Sequence, residues 1–385
     1  MLNKCGIASI LFIIFTCQCI AAPNTQLGTP AANGAATFPP SYQDSADHIA
    51  EYYEQRLYTL PAFKAGHYAL RMYRQTLDNK YAAGIWQDMA RIASTLNHFA
   101  SDIITPEAIY LYSQQRLSSY EGSQGERSRL RYSVTKHHPE YLYLGVDLLS
   151  AMARADEYGL KHKYDRRLRQ VLRKYDFSLY ATDPQMIKAW AAQLANQVFW
   201  LKQLGEQDVV QAFIQTFRKT YPDDQDKALS KQQYENKIYG MTHIIIAASG
   251  YYQHSVSAAD YQWIYHYFRT NIETIIARTK PDVIAEVGLS FLLAGLDKDP
   301  VVAQTRQAIQ EAIPPLKQMI PSGKDDFNLA QGEHRNLLAI MLLGWQKPHA
   351  APKYDQNQAI FSDLPYGLEP KQITQNQSFK TTDEG

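Results

Sequence analysis

Side chains that can transfer protons or bind anions interrupt several otherwise apolar segments of the sequence. Imidazole, carboxyl and phenol groups are common proton donors and acceptors in enzymes, and guanidinium groups bind anions. Glu286 is the most informative, because the segment around it, VIAEVGL, is apolar and a buried carboxylate needs a partner or a proton. The candidate catalytic residues are Tyr239, His243, Glu286, His334 and Asn336, and the candidate substrate-binding residues are His138, Glu333 and Arg335.

Several of these residues also have a purely structural interpretation. Glu333 at a helix start suits the helix dipole, and His243 suits a core position with a hydrogen bond to a carbonyl. Arg335 is also typical of a solvated helix face. His138, in the stretch His137-His138-Pro139, is also typical of the approach to a helix start. The sequence leaves both interpretations open for these four positions.

The residue types can be compared with the needs of glycoside hydrolysis and of a zinc site. Hydrolysis of a glycoside needs carboxyl groups on opposite sides of the bond, and Glu286 and Glu333 are the candidates. A zinc site would draw on His243, Glu286 and His334, but no HExxH-like pair is present, so no metal is predicted. The sequence also lacks P-loop, GxGxxG, GxSxG and DxDxDG patterns, so no other cofactor is predicted.

Two kinds of helix alternate along the chain and would position these residues. One kind, such as PQMIKAWAAQLANQVFW, is apolar on nearly every side, which is typical of a buried helix. The other kind, such as QDVVQAFIQTF, has one apolar stripe, which is typical of an outer helix. Asp183-Pro184 and Asp299-Pro300 have the form of helix starts. Buried helices are predicted near residues 140–155, 184–203, 233–251, 281–295 and 332–345.

The buried helices recur at a regular spacing. The separations between residues at equivalent places are 45, 50, 47 and 51, for Glu140, Gln185, Glu235, Asp282 and Glu333. A repeat of about 48 residues that pairs an inner with an outer helix predicts an all-α fold. Inner helices rich in small residues favour an α/α toroid, with an open α-solenoid as the alternative. In a ring the inner helices run in the same direction, so we expect their polar first turns to converge on one mouth.

The ends of the sequence differ in composition from its middle. Lys4, the apolar run 6–15 and the small residues before Ala22 predict a secretory signal peptide, and therefore a periplasmic or secreted protein. The sequence's 3 cysteines all lie in that segment, so the mature chain would have no disulfide or thiolate chemistry. The predicted division is a signal peptide over 1–21, a flexible linker over 22–42, an α/α-toroid-like helical domain over 43–346 and a polar irregular C-terminal tail over 347–385.

Charge and composition limit the class of partner. The net charge of +1, with both signs interspersed, argues against a nucleic-acid partner, and no membrane span is predicted after signal cleavage. The 27 tyrosines either pack between helices or offer a surface on which sugar rings stack. A polysaccharide or a peptide is therefore the expected ligand, and the sequence does not predict an oligomeric state.

Three segments, KIYGMTHIIIAASGYYQ, PDVIAEVGLSFLLAG and GEHRNLLAIMLLGW, resemble a family of exported bacterial helical proteins described as a domain of unknown function. This resemblance covers roughly residues 130–345 and implies no activity. The architecture is also loosely similar to α/α-toroid carbohydrate enzymes, including polysaccharide lyases and unsaturated glucuronyl hydrolases. Similarity to the lyases would give Asn336, His334, Tyr239 and Arg335 the tasks of neutralising a uronate carboxylate and moving protons.

Two classes of function remain open. The protein either acts on a polysaccharide at the toroid mouth, in the manner of a lyase or a hydrolase, or it is a non-catalytic glycan-binding, peptide-binding or scaffold protein of the cell envelope. A cavity mouth with Glu286 and His334 within hydrogen-bonding reach of each other would favour catalysis. A broad groove rich in tyrosine, with those two residues apart, would favour binding.

Overall fold

The computed structural model describes residues 40–315, 317–323 and 326–371. The expected signal peptide, residues 22–39 of the expected linker and residues 372–385 of the expected tail lie outside the described residues. Within the described part the all-α prediction is confirmed. Its strands are two three-residue segments, β1 (Leu160–His162) and β2 (Leu368–Pro370), which pair antiparallel. Each is too short to produce an alternating pattern in the sequence.

Helices make up most of the described chain. A π-helical segment runs over Leu142–Leu148, and 3-10 turns lie at Leu57–Thr59, Asn79–Tyr81 and Asp223–Ala228. The α-helices in chain order are α1 Tyr42–Glu54, α2 Ala62–Thr76, α3 Ala82–Asp102, α4 Pro106–Ser118, α5 Glu126–Thr135, α6 Leu149–Glu157, α7 Asp165–Leu172, α8 Ser178–Ala181, α9 Pro184–Gln203, α10 Val210–Thr220, α11 Lys231–Ala248, α12 Gln262–Arg278, α13 Pro281–Leu293, α14 Pro300–Glu311, α15 Leu329–Leu343 and α16 Gln358–Phe361.

The five predicted buried helices are present. The first consists of the π-helical segment continued by α6, and the others are α9, α11, α13 and α15. Two predicted caps are confirmed: the Asp183 side chain accepts a hydrogen bond from the backbone N–H of Gln185 at the start of α9, and the Asp299 side chain accepts one from that of Val301 at the start of α14. In α13 every residue from Val283 to Leu293 is buried, as expected for a helix that is apolar on all sides.

Packing around α13 is close because Gly288 has no side chain. A Cβ atom at this position would lie 2.4 Å from Oγ1 of Thr305 on α14 and 2.7 Å from Cδ1 of Leu342 on α15. These separations are too short for real atoms, so α14 and α15 approach α13 as closely as they do only because the residue is glycine. Glu286 lies half a turn earlier on the same helix, and this contact therefore fixes its height relative to α15.

The inner helices contact one another in a continuous order that returns to its start. Helix α2 packs on α3, and contacts then run from α3 to α6, α9, α11, α13 and α15 in turn. Helix α15 packs in its turn on both α1 and α2. A toroid requires this order of neighbours, whereas an open solenoid keeps its first and last inner helices apart. The order favours the toroid, whose closure about an axis stays a prediction.

The segment 347–371 runs back over the helical body and is irregular apart from α16 and β2. The backbone N–H of Tyr354 donates to the carbonyl of Tyr158, and Nε1 of Trp86 donates to the carbonyl of Asp363. Ile360 and Phe361 are buried. None of the helices in the described part of the chain combines the length and the apolar character that crossing a bilayer requires.

Candidate functional site

Glu286 lies at the centre of a polar cluster inside the helical body. Its side chain is 1% exposed, and its Oε2 accepts a 2.7 Å hydrogen bond from the hydroxyl of Thr242. Its other oxygen, Oε1, lies 3.5 Å from Nε2 of His243 and 3.8 Å from Nε2 of His334. The structure thus brings together three predicted residues that lie on three different helices, α11, α13 and α15.

The hydrogen bond between His243 and Asn196 determines which ring nitrogen of the histidine faces Glu286. Nδ1 of His243 lies 2.8 Å from Oδ1 of Asn196, an acceptor, so Nδ1 carries a hydrogen. In a neutral ring Nε2 then has only a lone pair, which a carboxylate oxygen repels. An additional proton on either group would make this contact attractive. The ring of Tyr239 meets that of His243 edge to face, with centroids 4.4 Å apart.

Helix α2 supplies side chains that the sequence analysis missed. Nδ1 of His67 lies 2.5 Å from Oε1 of Glu333, and Nζ of Lys64 lies 3.2 Å from Oε2 of the same carboxylate. The rings of His67 and His334 are 5.5 Å apart, which joins α2 to the cluster. Glu333, predicted to bind substrate, is therefore fully buried between two basic groups. The available signal was the spacing of Lys64, His67 and Arg71 along one face of AFKAGHYALRMYRQT.

Arg71 lies one turn beyond His67 on the same face of α2. The residue is 5% exposed, and among the described residues its Nε and Nη1 have no hydrogen-bond partner. Its guanidinium lies 5.8 Å from the ring centroid of Tyr252. Arg74, almost one turn further on, also has an unpaired Nε, but both of its terminal nitrogens are paired: Nη2 donates to Glu157 at 2.7 Å and Nη1 to the carbonyl of Tyr251 at 2.8 Å.

Burial sets the protonation of the cluster. It lowers the pKa of His334 to about 4, an effect that His67 increases and Glu286 opposes. It raises the pKa of Glu333, against the opposing charge of Lys64. It also raises the pKa of the Tyr239 phenol, and the carboxyl group of Glu286 adds to this. At neutral pH the ring of His334 is therefore a neutral base, and Tyr239 keeps its proton.

The turn after α11 has an unusual backbone. Gly250, Tyr251 and Tyr252 have φ angles of 60°, 58° and 70°, so three consecutive residues are left-handed. For residues with a Cβ atom this conformation costs about 1–2 kcal/mol each. Strain of this kind persists only where the surroundings enforce it, and it is frequent at functional sites. Here it places the Tyr252 ring beside Arg71 and the Tyr251 carbonyl at Arg74.

A family model described as "Domain of unknown function (DUF3541)" matches residues 42–371. The chain belongs to this family. The match confirms the resemblance to a family of unknown function and extends it beyond residues 130–345. No curated protein and no solved structure matches the chain. Family membership thus gives no activity, and the chemistry has to be argued from the cluster, all of whose residues lie within the matched range.

Arg335 and Asn336 support a loop of this family domain. Nη1 of Arg335 donates to the carbonyl of Pro321 at 2.5 Å, and Nη2 lies 3.6 Å from Asp282. Asn336 is fully buried, and its amide bonds both the N–H and the carbonyl of Ile320 as well as the carbonyl of Gly332. Neither N–H group of Asn336 is left for a substrate carboxylate, so this placement does not support the neutralising role predicted from its residue type.

His138 takes part in a different set of contacts. Its Nδ1 lies 3.8 Å from Glu140, and its ring packs against Tyr180 with centroids 5.8 Å apart. None of its described contacts reaches Glu286 or His334. His243 also departs from expectation, because α11 begins at Lys231 and the histidine consequently lies in its fourth turn. Glu286 and Glu333 lie in the second turns of their helices.

The described residues contain no group of three or more histidine, cysteine, aspartate or glutamate side chains arranged to hold a metal ion. The side chains of the cluster themselves offer four kinds of reactive or charged group. They are a carboxyl group between two imidazoles, a protonated phenol and an unpaired guanidinium.

Proposed function

We propose that this is an exported enzyme that binds a polysaccharide at the cluster formed by α2, α11, α13 and α15 and cleaves it by proton transfer. The observation that carries the proposal is the position of Glu286, whose Oε1 lies 3.5 Å and 3.8 Å from the Nε2 atoms of His243 and His334. Both separations are longer than a direct hydrogen bond, so a proton would pass between these groups through one water or a ligand hydroxyl, or after the contacts tighten on binding. The predicted signal peptide supports action outside the cytoplasm.

The hydrogen bonding of the cluster is incomplete. Nε2 of His243 and Nε2 of His334 are both buried and have no hydrogen-bond partner within the described chain. Most buried polar atoms in folded proteins are paired, because an unpaired one costs about 1–3 kcal/mol. A hydroxyl group of a bound sugar, which both donates and accepts, would satisfy these atoms.

Two side chains of the cluster are partly exposed. The His334 side chain is 29% exposed and that of Lys64 is 26% exposed, whereas Glu286 and Glu333 are buried beneath them. A ligand would therefore contact His334 first, with Glu286 behind it. The hydrolase alternative is less well supported than elimination, since Glu333 is already bonded to Lys64 and His67.

The test is a screen with matched variants. Wild type, Glu286→Gln, His334→Ala and the outer-helix control His266→Ala are incubated with alginate, polygalacturonate, dextran and xylan, and new reducing ends are measured beside a thermal melt. We expect cleavage of at least one polymer by wild type and His266→Ala. We expect the two cluster variants to lose about a hundredfold or more, the size of a typical acid–base contribution, with little change in Tm.

Other outcomes decide against the proposal. Binding of a polymer without new reducing ends would replace the enzyme by a glycan-binding protein. A large fall in Tm in both cluster variants, with no ligand found for wild type, would make the cluster structural.

A further inference from the structure

We infer that Arg71 is the receptor for a carboxylate group of the ligand, so that the substrate is an acidic polysaccharide built from uronate residues. The sugar part of this inference rests on the proposed function. The carboxylate part rests on the surroundings of Arg71 alone. The two parts can therefore fail separately.

Arg71 is a buried cation without a partner for most of its guanidinium. A buried cation without a partner is expensive, because it loses water and gains no opposite charge. Within the described residues Arg71 forms no ion pair within 4.0 Å, and its Nε and Nη1 have no hydrogen-bond partner. Arg74, on the same helix and also buried, is held by Glu157 and a carbonyl. An anionic ligand would give Arg71 the negatively charged partner that Glu157 provides for Arg74.

Arg71 lies beside the proposed proton-transfer groups. It lies one turn from His67, whose ring packs on that of His334. Its charge contributes to the lowered pKa of His334 and opposes the rise in the pKa of Glu333 that burial causes. Both carboxylates of the cluster are already bonded to other groups: Glu333 to Lys64 and His67, and Glu286 to Thr242. Neither carboxylate therefore pairs with the guanidinium of Arg71.

The charges around Arg71 favour a carboxylate over a phosphate as its ligand. A guanidinium presents parallel N–H groups that match either a carboxylate or a phosphate. The carboxyl groups of Glu286 and Glu333 are nearby, and they oppose a second negative charge on the ligand. A singly charged carboxylate therefore suits the cluster better than a phosphate dianion.

A neutralised carboxylate determines the reaction. It makes the C5–H bond of a 4-linked uronate more acidic, and neutral His334 accepts that proton. The C5–H electron pair forms the C4=C5 double bond while the C4–O4 bond breaks. The departing O4 takes a proton from the Tyr239 phenol, and the proton held by His334 restores the phenol. No water or other reactant is consumed, and the product is an unsaturated uronate.

The experiment compares two neighbouring arginines. Arg71→Gln, Arg71→Lys and the control Arg74→Gln are assayed on polygalacturonate and alginate, and on the same polymers after their carboxyl groups have been reduced to alcohols. Near-ultraviolet absorbance measures the unsaturated product. Thermal melts with and without sodium glucuronate, and with inorganic phosphate as comparison, measure anion binding without any need for turnover.

We expect wild type to prefer the acidic polymers about a hundredfold, Arg71→Gln to lose that preference and Arg71→Lys to recover part of it. Glucuronate should raise the Tm of wild type but not that of Arg71→Gln, and phosphate should do less. Without ligand, Arg71→Gln should melt at or above the wild-type temperature because it removes an unpaired charge. Arg74→Gln should melt lower because it breaks a paired one.

Equal activity of wild type on acidic and reduced polymers would overturn the carboxylate inference and leave the proposed enzyme intact. If wild type cleaves no polymer but glucuronate stabilises it through Arg71, the enzyme fails and the carboxylate receptor stands. No Tm response to glucuronate in wild type, or the same response in Arg71→Gln, would overturn the receptor.

Discussion

Among single residues, His334 joins the possible chemistry to stability. Its folded-state pKa of about 4 is below the ordinary value near 6.5, because burial disfavours the charged ring. The unfolded chain therefore binds a proton more readily than the folded one between these two values. The contribution of His334 to the free energy of unfolding is fully present above pH 6.5 and is lost as the pH falls towards 4.

We therefore predict that wild type loses on the order of 2–3 kcal/mol of stability from this group between pH 7 and pH 4, and that His334→Gln removes this part of the pH dependence. Urea unfolding at several pH values measures it. The groups that set the effect are His67 and Arg71 from α2 and Asp282 and Glu286 from α13, all unchanged in the variant. An identical pH profile in wild type and His334→Gln would contradict the prediction.

At the scale of the element, Gly288 determines how α13 packs. Adding a methyl group there places an atom 2.4 Å from Thr305, whose hydroxyl is bonded to the α14 backbone and cannot easily move. We predict that Gly288→Ala lowers the free energy of unfolding by about 1–3 kcal/mol through overpacking and shifts Glu286 relative to His334. Chemical denaturation and turnover check the two effects. Gly323→Ala, where no atom would lie within 4 Å of the added methyl group, should change neither by much.

How far the sequence predicts these elements depends on their composition. Helices α9, α11, α13 and α15 were predictable because their segments are apolar on every side, and a carboxylate within such a segment, Glu286, was noticeable for that reason. Helix α2 is buried but carries Lys64, His67 and Arg71, so its composition resembles that of an exposed helix. Asn336 and Arg335 had suitable residue types, but only the path of the following loop shows that backbone groups occupy them.

At the scale of the whole molecule, the segment 347–371 tests where the folded domain ends. The expected domain ends at residue 346, but the family match continues to 371. We predict that truncation after Gln346 lowers stability by several kcal/mol, since it exposes the surface that buried Ile360, Phe361 and Leu368 cover, at about 1.5–3 kcal/mol each. Thermal melts of the two lengths measure this. Equal Tm values would show that the segment is dispensable.

The contact between α2 and α15 also matters while the chain is being made. His67 and Glu333 are 266 residues apart, and at ribosomal speeds the second follows the first by roughly 15–50 s. During that interval Lys64, His67 and Arg71 have left the ribosome but lack the carboxylate and the imidazole they face in the finished protein. A nascent chain thus remains without the complete cluster, and without any function that depends on it, until α15 has been translated.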